Sequence, residues 1–90
     1  MPRVLVLADV HDGAAWEKTF RTHGDLFKQM GVSTMEYAID GNRVAVCGDT
    51  SDLEAYMRVM NSPATAEAMA MDGVKRETVR TVVFDKALTT

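Results

Sequence analysis

The residues of this chain best suited to chemistry fall in two places. The first is "ADVHDGAAW", residues 8 to 16, where Asp9, His11 and Asp12 follow an apolar run. Asp9 and His11 stand two positions apart on one face of an extended strand, so the carboxylate can orient the imidazole while His11 takes a proton from a substrate. The same residues also fit an exposed strand end and turn, with Asp12 capping the next helix. The second place is His23, set among Trp16, Phe20 and Phe27 at helical spacing. An imidazole there suits acid–base work near neutral pH or ligation of a metal or haem iron; the alternative is a partly buried histidine bonded to a carbonyl or water.

Around these lie residues for holding a ligand. Tyr37 and Tyr56 offer hydroxyls to a ligand oxygen or a developing enolate, and Trp16 offers a stacking surface for an aromatic ring. Met57, with Met30, Met35, Met60 and Met69, offers a soft apolar lining. All of them serve equally well as core. Cys47, the only cysteine, has no basic neighbour in sequence and reads as an inert thiol. There is no glycine-rich phosphate loop, no pair of catalytic carboxylates, no Ser-His-Asp order and no metal-ligand spacing, so neither a metal nor a cofactor is expected.

The elements that must position these residues follow from periodicity. Val4, Val6, Ala8 and Val10 alternate with Leu5 and Leu7, which predicts a central strand over 3–10 with both faces covered. Trp16, Phe20, His23, Phe27 and Met30 share one face of a predicted helix over 13–30, stopped by Gly31. "VSTMEYAID" and "RVAVCGD" form a hairpin around Asp40-Gly41-Asn42. Ser51-Asp52-Leu53-Glu54 has capping-box form and opens a helix with a stripe of Leu53, Tyr56, Met57 and Met60. Ser62-Pro63 starts a short third helix closed by Asp72-Gly73, and "ETVRTVVFD" is the last strand. The order β-α-β-β-α-α-β is an α+β, split βαβ arrangement with one four-stranded antiparallel sheet, a single ferredoxin-like domain over 1–90.

Ten basic and 13 acidic residues leave a net charge of −3 without a Lys/Arg cluster, so nucleic acid is not an expected partner. The first apolar run, about seven residues, is too short for a secretory signal, and no stretch approaches the ~20 residues of a membrane span; a cytoplasmic protein without a membrane partner is expected. Ninety residues without a disulfide make a thin core. Helices cover only one face of a sheet that is apolar on both, so a homodimer formed sheet to sheet is expected.

The helix with "W…F…F…GV", the hairpin, the third strand running into Asp52-Leu-Glu-Ala-Tyr56, and the "Ser-Pro…Met…Gly-Val" that precedes a last strand together resemble the dimeric α/β-barrel superfamily of ferredoxin-like proteins. That superfamily includes cofactor-free antibiotic-biosynthesis monooxygenases, polyketide cyclases, muconolactone isomerase-like enzymes and haem-binding proteins. The resemblance covers nearly the whole chain and implies a ligand cavity between helices and sheet in each subunit. It implies a dimer that binds a small apolar, aromatic or polyketide-like molecule and cyclises, isomerises or oxygenates it. The alternatives are a non-catalytic ligand-sensing or regulatory dimer, and a haem-binding protein with His23 as axial ligand.

Overall fold

The computed structural model describes residues 1–90. Strand β1 (Arg3–Asp9) is followed by helices α1 (Gly13–Phe20) and α2 (Gly24–Gln29), then by the hairpin of β2 (Val32–Asp40) and β3 (Arg43–Thr50). Helices α3 (Leu53–Met60) and α4 (Pro63–Met71), a single 3₁₀ turn (Arg76–Thr78) and β4 (Arg80–Val83) complete the chain. The sheet order is β2-β3-β1-β4, and every neighbouring pair is antiparallel. This is the expected α+β ferredoxin-like sheet, with the apolar β1 inside it.

Alternation along β1 buries Val4 and Ala8 under the helices and turns Leu5 and Leu7 to the other face. Two buried clusters result. Val4, Met30, Val32 and Tyr56 form one; Ala8, Val10, Trp16 and Val44 form the other. Pairing sets Leu5 beside Cys47 and Val82, so the open face carries an apolar centre that also includes Leu7, Ala45 and Ala38.

Three local expectations are corrected. The helix over 13–30 is two helices, because the Thr22 hydroxyl donates to the Thr19 carbonyl at 2.6 Å and the Thr22 and His23 amides bond three residues back, to Thr19 and Phe20. A threonine hydroxyl that takes a carbonyl from the ladder, followed by a poor helix former at Gly24, ends the helix. The break bends the chain so that Phe20 and Phe27 keep ring contact at 5.1 Å. The cap of α3 is Asp52, not Ser51: its carboxylate accepts from Ala55 N–H at 3.1 Å, while the Ser51 amide is already bonded to the Gly31 carbonyl. The last strand is shorter than 77–85, because the Thr78 hydroxyl closes a turn onto the Lys75 carbonyl at 2.6 Å and accepts from the Asp9 amide at 2.9 Å.

Other ends form as expected. Asp12 accepts from Ala14 and Ala15 N–H, and Ser62 from Thr65 N–H. Gly13 is required where it stands: a Cβ there would lie 2.6 Å from the Gly41 carbonyl oxygen and from Ile39 Cγ2, so the start of α1 is pressed onto the hairpin turn.

Candidate active site

Helices and sheet enclose a cavity of about 90 Å³ lined by 19 residues, 16 of them hydrophobic. Val6, Ala8, Val44 and Val46 form its floor, and Trp16, Phe20, Phe27 and Tyr56 are part of its lining. Met30, Met35, Met60 and Met69 also line it. Met57 does not; it packs against the Val4 cluster, one helical step away from Tyr56 and Met60. Tyr37 also stands outside the lining, stacked edge-on against Trp16 and Phe20, with its hydroxyl donating to Glu17 Oε2 at 2.6 Å. That bond holds the Tyr37 phenol above its ordinary pKa.

The three lining residues that are not hydrophobic are His23, Thr65 and Asp72. The Thr65 hydroxyl is committed to the Val59 carbonyl at 2.6 Å. His23 Nε2 lies 2.9 Å from Asp72 Oδ1, with the two side chains 14% and 5% exposed. Asp72 is the residue that sequence reading missed. It sits at the C-terminal cap of α4, where "Asp-Gly" reads as a helix stop, and nothing local links it to a histidine 49 positions away. His23 is at the N-terminal end of α2, where the helix break turns its ring toward α4; it is not in mid-helix.

A carboxylate on one imidazole nitrogen fixes which nitrogen carries the proton. With Nε2–H donating to Asp72, the lone pair is on Nδ1, which has no protein partner. The Tyr56 hydroxyl likewise bonds to no protein group although the residue is only 5% exposed, and burial raises the phenol above its ordinary pKa, so it stays a proton donor at neutral pH. His23 and Tyr56 thus bring one proton acceptor and one proton donor to the cavity lining, the residue types that acid–base chemistry uses.

Asp9 and His11 do not come together. Asp9 Oδ1 accepts from Arg43 Nε at 3.3 Å, and exposed His11 lies over Gly73, its amide donating to the Gly73 carbonyl at 3.0 Å. The strand ends at Asp9, so the alternation that would set both side chains on one face stops between them. Neither lines the cavity. Cys47, on the open face of the sheet, has a basic neighbour after all: Arg3 Nε donates to its sulfur at 3.1 Å.

No protein-family model matches the sequence, and no curated protein matches it. Solved structures do. SnoaB, a cofactor-independent oxygenase from Streptomyces nogalater, superposes with a TM-score of 0.72 at 18% identity, over 98% of this chain and 94% of that one. A Bordetella bronchiseptica protein assigned to the antibiotic biosynthesis monooxygenases gives 0.74 at 14% identity, over 97% of both chains. One from Nitrosomonas europaea with the same assignment gives 0.67 at 14%, over 98% of this chain and all 100% of its own. At such identities the likeness is one of fold, and the chain has the ferredoxin-like α+β fold of these monooxygenase-type proteins, as the resemblance in its sequence implied.

Proposed function

We propose that this protein binds a small apolar or aromatic molecule in the cavity and withdraws a proton from it, with His23 as base. The observation that carries the reading is the His23–Asp72 pair at the wall of an apolar cavity. Asp72 holds the ring and stabilises the imidazolium formed when Nδ1 takes the proton, and Tyr56 donates to the substrate oxygen that gains charge. The resulting anion reprotonates elsewhere, attacks an internal carbonyl or reacts with dioxygen. The likeness to a cofactor-independent oxygenase supports the last of these fates.

Cavity size bounds the substrate. At about 90 Å³ the cavity suits a small molecule such as a single ring. A polyketide-like, fused-ring substrate requires Met60, Met69 or Leu26 to move aside, a change that unbranched methionines accommodate. Haem ligation is not favoured, because His23 Nε2 already faces the Asp72 carboxylate. No helix of the chain is long and apolar enough to cross a membrane.

The sheet-to-sheet homodimer belongs to the same proposal. On the open sheet face Leu7 of β1 is 36% and Val82 of the edge strand β4 48% exposed, and Leu5 lies beside both, flanked on β3 by Cys47. Burying such a face against its symmetry mate is favourable at about 25 cal/mol per Å². Light scattering at micromolar concentration is expected to give about twice 9.9 kDa, and a stable monomer overturns this part.

The catalytic test is deuterium wash-out from a panel of small cyclic ketones and hydroxyaromatics, followed by NMR. Exchange above buffer is expected for the intact protein and its loss in His23→Ala; undiminished exchange in that variant overturns the assignment. Binding without exchange across the panel assigns the ligand-sensing alternative.

A further inference from the structure

We propose that α2 is a lid over the cavity, pivoting on its C-terminal end and latched at its N-terminal end by the His23–Asp72 pair. None of the six residues of α2 is buried, yet Leu26 and Phe27 line the cavity together with His23 just before them. Its C-terminal end is pinned. The fully buried Thr50 donates its hydroxyl to the Met30 carbonyl at 2.6 Å, and the Ser51 amide bonds to the Gly31 carbonyl at 3.1 Å. Gly31, at φ +75°, supplies the sharp turn where the pin sits.

The other end carries a single side-chain hydrogen bond to another element, beside the Phe20–Phe27 ring contact and the turn bonds of the Thr22 and His23 amides. Within residues 22–29, His23 alone makes a side-chain bond to another element; the Thr22 hydroxyl bonds locally, and no side chain caps the helix. A Cβ at Gly24 would meet nothing within 4 Å, so the outer side of that turn faces open space. Half-buried Leu26 and Phe27 on α2 face half-buried Met69 on α4 across the cavity. Asp72 ends α4, so the latch spans the gap between the two helices. A short helix with no buried residue, pinned at one end and joined at the other by one side-chain hydrogen bond and an aromatic contact, opens locally at a fraction of the cost of global unfolding. The lid rests on the reading of the cavity as a binding site, but it does not require His23 to act as a base.

Amide hydrogen exchange with benzene as the probe tests it, benzene binding being read from ¹³C-labelled methionine methyls, four of which line the cavity. The Phe27 amide, bonded to the His23 carbonyl, is expected to exchange faster than those of Trp16 in α1 and Tyr56 in α3, and to slow when benzene saturates the site. Asp72→Ala releases the latch and is expected to speed Phe27 exchange and benzene association by roughly tenfold, with Trp16 and Tyr56 amides unchanged. The proposal is overturned if Phe27 is as protected as the two reference amides, if the variant leaves it unchanged, or if all three rise together. Should Asp72→Ala fail to fold, the intact protein decides: selective slowing of Phe27 by benzene supports the lid, and its absence, or a failure of benzene to shift any methionine methyl, overturns it. Turnover enters none of these readouts, so a missing reaction sinks the catalytic reading and leaves the lid standing.

Discussion

At the strand-end corner, His11 follows a carboxylate by two residues, is exposed, and makes no bond to it. At the helix-break corner, His23 is 49 residues from its carboxylate and 2.9 Å from it in space. Polar residues crowded at a chain turn find backbone or solvent: Asp12 takes two helix amides, and Asp9 takes Arg43. A pair shielded from water has to be assembled from distant elements, since only packing of helix on sheet excludes solvent. Nearness in sequence marked the corner that caps a helix, while nearness in the fold made the pair that faces a cavity.

The largest expected effect separates the two histidines outright. Loss of a general base costs about 10²–10⁴-fold, so His23→Ala is expected to remove wash-out activity by that factor while His11→Ala leaves it intact; equal losses in the two variants would erase the contrast. Next comes Asp72→Asn, which keeps an acceptor near Nε2 but removes the charge. It is expected to lower kcat by about ten- to a hundredfold with little change in KM, whereas an unchanged kcat would make Asp72 a purely structural partner.

The strand-end corner should respond in stability rather than activity. Gly13→Ala forces a methyl onto the Gly41 carbonyl and Ile39, and overpacking of this kind costs about 1–3 kcal/mol, to be read from the urea midpoint. A smaller term belongs to the cavity. Tyr56 has its phenol pKa raised above 10.0 by burial, so the stability it contributes is complete below that value and is lost as pH rises through the higher folded one. Tyr56→Phe is expected to flatten the fall in stability above pH 10, and parallel alkaline curves for the two proteins would refute this. Smallest is Asp9→Asn: its partner Arg43 is an exposed side chain, and exposed ion pairs contribute under about 1 kcal/mol. A loss of activity in this variant would restore the strand end as a site.

Much of the frame was legible. Alternation in 3–10, the Asp40-Gly41-Asn42 turn and the Ser62-Pro63 cap are local patterns whose cause is local, and each formed. The helix break was not legible from the apolar arc, because Thr22 breaks the ladder with a hydroxyl that could equally have pointed to water. Ser51 fits the capping pattern as well as Asp52 does; the choice was made by the Gly31 carbonyl, which claims the Ser51 amide from another element. For the cavity, type was readable and membership was not. Tyr37 and Met57 have the same apolar character as Phe27 and Met60, and only the turn of each element decided which pair lines the space.

By itself, then, the order of residues determined the four strands, the positions of most helix ends and the apolar helix faces, since backbone sterics, capping and hydrophobic periodicity act over a few residues at a time. The tertiary structure alone decided that Asp72 meets His23 and that Asp9 does not meet His11. A hydrogen bond between α4 and the start of α2 depends on the relative placement of two helices on one sheet, and that placement is set by the summed packing of β1, β3 and the two clusters above them, which no short stretch of sequence contains.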